Sequence, residues 1–149
     1  MLLLALITQA DAKDLRGRLG VGFHQALAST SAISLRYTLP GAQPTSTVQI
    51  EVDAGLDLTD TATDYYAGGR LLFGVVAEDN MGLYLGAGAG YLGGSGRVRV
   101  QPAVGAQFFF FGLENLGFSV EWGVNADFGT GYRVATFGTG PAAAVHYWF

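Results

Sequence analysis

The sequence predicts an all-β fold, an eight-stranded antiparallel up-and-down transmembrane β-barrel. Three observations carry that prediction. Beyond Lys13 apolar residues recur at every second position, the period of a strand with one apolar and one polar face. The alternating runs are separated by short Gly-, Pro-, Asn- and Asp-rich segments of the kind that close hairpins. No segment carries a helical period with caps, and no run of about 18 apolar residues offers a membrane-spanning helix.

The strands follow in order. In the first, Leu15, Leu19, Val21 and Phe23 alternate with Arg16, Arg18, Gly20, Gly22 and His24. The second sets Ile33, Leu35, Tyr37 and Leu39 against Ser34, Arg36 and Thr38. In the third, Val48, Ile50, Val52, Leu56 and Leu58 oppose Gln49, Glu51, Asp53 and Asp57. The fourth sets Tyr65, Leu71, Phe73 and Val75 against Tyr66, Gly68, Arg70 and Gly74. In the fifth, Met81, Leu83, Leu85, Ala87, Ala89 and Tyr91 face away from Gly82, Tyr84, Gly86, Gly88 and Gly90. The sixth pairs Val98, Val100, Val104, Ala106, Phe108 and Phe110 with Arg97, Arg99, Gln101 and Gln107. The seventh has Phe118, Val120, Trp122, Val124 and Phe128 against Ser119, Glu121, Asn125 and Asp127. The eighth begins at Phe137, with Ala143, Val145, Tyr147 and Phe149 opposite Gly138, Gly140, His146 and Trp148. Consecutive hairpins of this number can close on themselves and leave no free edge.

Period two does not by itself say which face is inside, since soluble and membrane barrels share it. Composition decides. The polar face carries Arg16, Arg18, Arg36, Arg70, Arg97 and Arg99 with Glu51, Asp53, Asp57, Glu121 and Asp127, nearly balanced in sign and interspersed with glycine. A water-facing surface is richer in lysine and glutamate, yet Lys13 is the only lysine. Arginine suits enclosed, planar pairing with carboxylates. The other face is Leu, Val, Phe, Tyr, Trp and Ala, with aromatics at the strand ends where interfacial girdles belong. The polar face is therefore expected inside. Eleven ionic side chains in so narrow a lumen must pair with one another, which predicts a plugged barrel; a narrow conduit for ions or small solutes is the alternative. A soluble, lipocalin-like barrel with an apolar ligand is the other alternative, and it would reverse the two faces.

Composition excludes other classes. Of 149 residues 50% are apolar and only 13% charged, and the net charge of −4 argues against a nucleic-acid partner. With no cysteine there is neither a disulfide framework nor a thiolate metal site. At the N-terminus Leu2 to Ile7 form a short apolar run, without a basic residue before it, and Ala10-Asp11-Ala12 gives a small-x-small cleavage pattern. Residues 1–12 are read as a signal peptide cleaved after Ala12, and 13–149 as a single barrel domain.

The chain resembles the small eight-stranded outer-membrane β-barrels of Gram-negative bacteria, of the OmpA membrane-domain type, over Lys13 to Phe149. The resemblance rests on the strand pattern and on a final strand with Val145, Tyr147 and Phe149 at alternate positions. It implies an outer-membrane location, both termini periplasmic, and a monomer in contact with outer-membrane lipid. It also implies that the outer-membrane assembly machinery reads Val145, Tyr147 and Phe149 as its signal. Turns at 26–31, 59–64, 93–96 and 129–133 would face outward, placing Arg133 near the outer rim as a loop charge or a contact for an anionic headgroup.

Catalytic and metal motifs are weak. Gly86-Ala87-Gly88-Ala89-Gly90 lies within a strand with no helix after it, so it reads as space in the lumen rather than a phosphate loop. His24 and His146 sit at opposite ends of the chain without metal-ligand spacing. A lipid-modifying hydrolase would need His24 with Ser29 or Ser31 and Glu121 or Asp127, and nothing in the spacing calls for it. No enzyme activity, cofactor or metal is expected; His146 is expected to be a lumen residue hydrogen-bonded to a neighbour.

Overall fold

A computed structural model describes residues 14–25, 31–41, 46–58, 63–137 and 141–149. The expected signal peptide lies outside the described residues. Among the described residues nine strands are formed: β1 (Leu19–His24), β2 (Ala32–Thr38), β3 (Val48–Leu58), β4 (Thr63–Ala77), β5 (Met81–Leu92), β6 (Arg97–Phe109), β7 (Leu116–Phe128), β8 (Tyr132–Thr136) and β9 (Ala142–Trp148). Each of β1 to β7 pairs antiparallel with the next. β8 pairs with the stretch of β7 from Val124 to Phe128, and β9 with the stretch from Leu116 to Glu121. The two are thus successive pieces of one wall. β9 returns to β1, from Gly20 opposite Trp148 to His24 opposite Ala144, and the sheet closes as an eight-stranded antiparallel barrel. Among the described residues no helix is long and apolar enough to cross a membrane.

The two-residue period becomes inside and outside. In β2 and β9 every second residue is buried and its neighbours are exposed. Outward point Ile33, Leu35, Val52, Leu71, Leu85, Val104, Val120 and Trp122, all exposed. Inward point Ser34, Arg36, Glu51, Arg70, Gln101, Ser119, Glu121 and His146, all buried. Aromatic pairs mark both ends of the outer surface. Tyr65 and Tyr91 meet at 6.1 Å near the upper end, where β1–β2, β3–β4, β5–β6 and β7–β8 are joined. Phe110 meets Phe118 at 5.2 Å and Tyr147 meets Phe149 at 5.0 Å, both edge-on, near the lower end.

Two strand boundaries differ from expectation. The first strand starts at Leu19 rather than Leu15, because Gly17 takes a φ of +72° and turns the chain. Leu15 then tucks under the barrel and packs with Phe109 and Trp148 as an apolar floor, instead of joining the outer face. The eighth strand starts at Tyr132, within what was read as a turn, and is interrupted after Thr136. Phe137, expected on the outer face, is buried with Ala103 and Ala142. Gly123 makes that possible, since a Cβ there would lie 2.8 Å from the Phe137 ring.

The alternating glycines of β5 are likewise explained by what lies across from them. Gly88 is opposite Arg70, and any Cβ at Gly88 would run into the arginine's Cγ. Gly90 leaves room for the ring of Tyr66 in the same way. Replacing Gly88 with Val is therefore expected to displace Arg70 and cost about 1–3 kcal/mol or more. Gly41→Ala, where nothing lies within 4 Å, is expected to stay within about 0.5 kcal/mol of the parent. Urea midpoints of the refolded variants check both.

Candidate functional site

The site is the lumen itself. Register places Arg36 of β2 opposite Glu51 of β3, and Glu51 opposite Arg70 of β4, so three neighbouring strands present an Arg–Glu–Arg row on one inward rung. The opposite wall supplies Glu121 from β7 and Tyr84 from β5, and β1 supplies His24 at its upper end. Arg36 and Glu51 are 0% exposed, His24 1%, Arg70 and Glu121 2% and Asp53 4%. Ions this deeply enclosed each cost several kcal/mol to desolvate and persist only when paired.

The pairs are short. Arg70 and Glu121 form a two-pronged fork, with Nη1 donating to Oε1 at 3.2 Å and Nη2 to Oε2 at 2.5 Å. The Tyr84 hydroxyl donates to the same Oε1 at 2.6 Å. On the other wall Arg36 meets Glu51 Oε2 through Nε at 3.0 Å and Nη2 at 2.7 Å, while the Ser34 hydroxyl donates to Oε1 at 3.1 Å. Arg36 also lies over the Tyr84 ring, 5.7 Å from its centroid, and reaches Ser119 Oγ at 3.4 Å. His24 bridges the halves, with Nδ1 2.9 Å from Glu51 Oε1 and Nε2 3.5 Å from Glu121 Oε2. His146 Nε2 lies 2.9 Å from Ser34 Oγ, the lumen hydrogen bond expected of it.

A second cluster sits above. Arg99 meets Asp127 in a fork at 2.6 and 2.9 Å, and Gln101 donates to Asn125 at 2.7 Å. Of the eleven ionic residues assigned to the polar face, the structure gathers Arg36, Glu51, Asp53, Arg70 and Glu121 centrally and Arg99 with Asp127 above them. The remaining four lie elsewhere. Arg16 is exposed in the turn before β1 and pairs with Asp14 at 2.7 Å; beside that guanidinium the Asp14 carboxyl is held down at about 2. Arg18 sits at the lower rim, where Nη2 donates to Asn115 Oδ1 at 2.8 Å and the Trp148 carbonyl at 2.9 Å, tying the last strand to the turn before β7. Asp57 is exposed at the upper end opposite Asp64, and Arg97 is half-buried there. Arg133 is exposed on β8, opposite Asp127 in register.

Of the residues weighed for a hydrolase, Ser29 lies outside the described residues, and Ser31 is exposed and accepts a hydrogen bond from Gln25 at 3.1 Å. Val145, Tyr147 and Phe149 are all exposed on the outer face. Missed from sequence were the roles of His24, Ser34 and Tyr84 in the central network. Their signal was present, as each falls on the inward parity of its strand. The central acids Glu51, Asp53 and Glu121 also outnumber Arg36 and Arg70, which calls for another polar partner.

Family models, curated proteins and solved structures return no match to the chain.

If the fork is the centre of the network, its partners should be strongly coupled. Arg70→Met and Glu121→Gln are each expected to cost about 3–5 kcal/mol, because each leaves a buried charge uncompensated. The double variant should cost clearly less than the sum, with a coupling of about 2 kcal/mol or more, in equilibrium unfolding of all four proteins.

Proposed function

We propose that the protein is an integral membrane barrel of the outer-membrane class that its sequence resembles, with a structural, non-conducting lumen and an anchoring or stabilising role in that membrane. One observation carries the reading, the inversion of the two faces. Large apolar side chains cover the outside of the wall, whereas the wholly buried residues include Arg36, Glu51, Glu121, His24 and His146. In water such an exterior would be an aggregation liability far beyond the usual apolar patch. In a bilayer it is the solvent-matched surface, and strand pairing satisfies the backbone where the sheet is closed.

Length and girdles support the same reading. β3 to β7 run from 11 to 15 residues, against the roughly 9–11 that a tilted strand needs to cross the hydrocarbon core. Tyr65, Tyr91, Phe128 and Tyr132 near one end, with Tyr37, Phe110, Phe118 and Tyr147 near the other, match two interfacial belts. The family resemblance would put both termini on the periplasmic side. A lipocalin-like barrel needs an apolar interior for its ligand, and Arg36, Glu51, Arg70 and Glu121 occupy that space here.

The non-conducting lumen rests on the cross-linked charges between the apolar floor of Leu15, Phe109 and Trp148 and the upper clusters around Tyr66 and Phe137. Refolding into phospholipid vesicles is expected to yield a species that migrates differently boiled and unboiled, and planar bilayers containing it should show no steady conductance. A protein that stays monomeric in buffer without detergent would contradict membrane insertion. Steady conductance abolished by charge reversal at Arg70 or Glu121 would instead make the lumen a channel.

A further inference from the structure

The buried network satisfies its members unevenly. Glu51 and Glu121 are each held by an arginine and by a hydroxyl. Asp53 is not. Its two carboxylate oxygens are buried and have no hydrogen-bond partner among the described residues. A buried carboxylate in that condition is costly, and an ion or a water is the usual resolution.

What Asp53 faces is specific. Its Oδ1 lies 3.8 Å from His24 Nδ1, and that same nitrogen lies 2.9 Å from Glu51 Oε1. One donor atom from each of His24, Glu51 and Asp53 falls within 4.8 Å of the others. The two separations from His24 suit a shared ion. For metal–ligand bonds of about 2.1 Å, donor spacings of this size correspond to angles of roughly 90° and 130° at the metal. Glu51 and Asp53 are two apart on β3 and so share its inward face, while β1, on the far side of β2, brings in His24. Arg36 engages Glu51 Oε2, while Oε1 faces His24 and also accepts the Ser34 hydroxyl at 3.1 Å. His24 Nε2 lies 3.5 Å from Glu121 Oε2 and 3.0 Å from Arg70 Nη1, so with Nδ1 on an ion its N–H would share that carboxylate with the Arg70 fork.

We infer that His24, Glu51 and Asp53 form a lumen site for a first-row divalent transition ion, with zinc the natural probe for one nitrogen and two oxygen donors. A proton on His24 is the competing occupant. It brings the cluster to neutrality, three carboxylates against two guanidiniums and an imidazolium, and pairs with Asp53 at 3.8 Å, but its Nδ1–H can be donated only to the nearer Glu51; an ion would bond both. Charge acts against the ion. Three carboxylates face two guanidiniums, so a divalent ion overshoots neutrality by one charge, and Arg70 Nη1 stands 3.2 Å from His24 Nδ1. Affinity should therefore be below that of a three-donor site without arginines.

The test is to refold the protein in detergent with excess zinc, remove free ion, and measure bound zinc per folded chain by elemental analysis, with folding scored by the gel shift. The parent should retain close to one equivalent. Asp53→Asn, which keeps size and shape, and His24→Gln should weaken retention at least about tenfold. Asp127→Asn, which alters only the upper cluster, should leave it unchanged. No zinc on folded parent protein would overturn the site, and so would equal retention by the parent and folded Asp53→Asn, which would mark adventitious binding at exposed acids. Should both His24 and Asp53 variants fail to fold, zinc-edge X-ray absorption of the parent decides. One imidazole with oxygen donors supports the site, and an all-oxygen shell overturns it.

Discussion

The structure depends on mutual neutralisation of charges that have no access to water. A barrel of eight strands is just wide enough for its inward side chains to fill. Whatever the sequence places on the inner face must therefore be satisfied by other inner-face residues. Arg36, Glu51, Arg70 and Glu121 meet that demand from four different strands, and their contacts link opposite walls of the sheet. Most domain cores close around apolar side chains that attract without direction. Here closure is tied to donors and acceptors that must meet in one register, because a slip of one residue would turn the charges outward.

Small residues are the counterpart of that network. The long side chains of β4 and β5 fill the lumen only because their neighbours on the next strands have none. Gly88 yields space to Arg70, Gly90 to Tyr66 and Gly105 to Tyr84. The floor follows the same logic: Trp148 lies over Gly20, where a Cβ would come within 3.1 Å of the indole, and Leu15 folds back to complete the layer. Glycine on the inner face is thus the complement of arginine and aromatics, and the alternating glycines of β5 belong to packing.

Much of this was legible in the sequence, for a physical reason. Strand period is local, so the faces of β2, β3, β6 and β7 could be read directly, and the inward positions of Arg36, Glu51, Arg70, Arg99, Glu121 and Asp127 followed from parity. Parity fails where the strand itself fails. The αL turn at Gly17 took Leu15, Arg16 and Arg18 out of the pattern, and the break between β8 and β9 shifts the parity, so Phe137 follows Arg133 and faces inward opposite Gly123 instead of matching Val145 and Tyr147. Neither depends on hydropathy. Register is not local either, so the sequence could place His24 on the polar face without showing that it meets Glu51 and Asp53 of a strand it does not neighbour. Asp57, Arg97 and Arg133 carry the inward parity but sit at the upper end, where the wall no longer encloses them.

The inverted exterior is the central claim, and the two tryptophans offer a direct test of it. Trp122 lies on the outer face with 53% of its surface exposed, while Trp148 is wholly buried in the lumen floor. In vesicles of lipids brominated on the acyl chain, a Trp148→Phe variant, which reports Trp122 alone, should be strongly quenched. A Trp122→Phe variant, which reports Trp148, should be quenched far less. Equal and weak quenching of both, from a folded protein, would mean that the apolar face does not meet lipid.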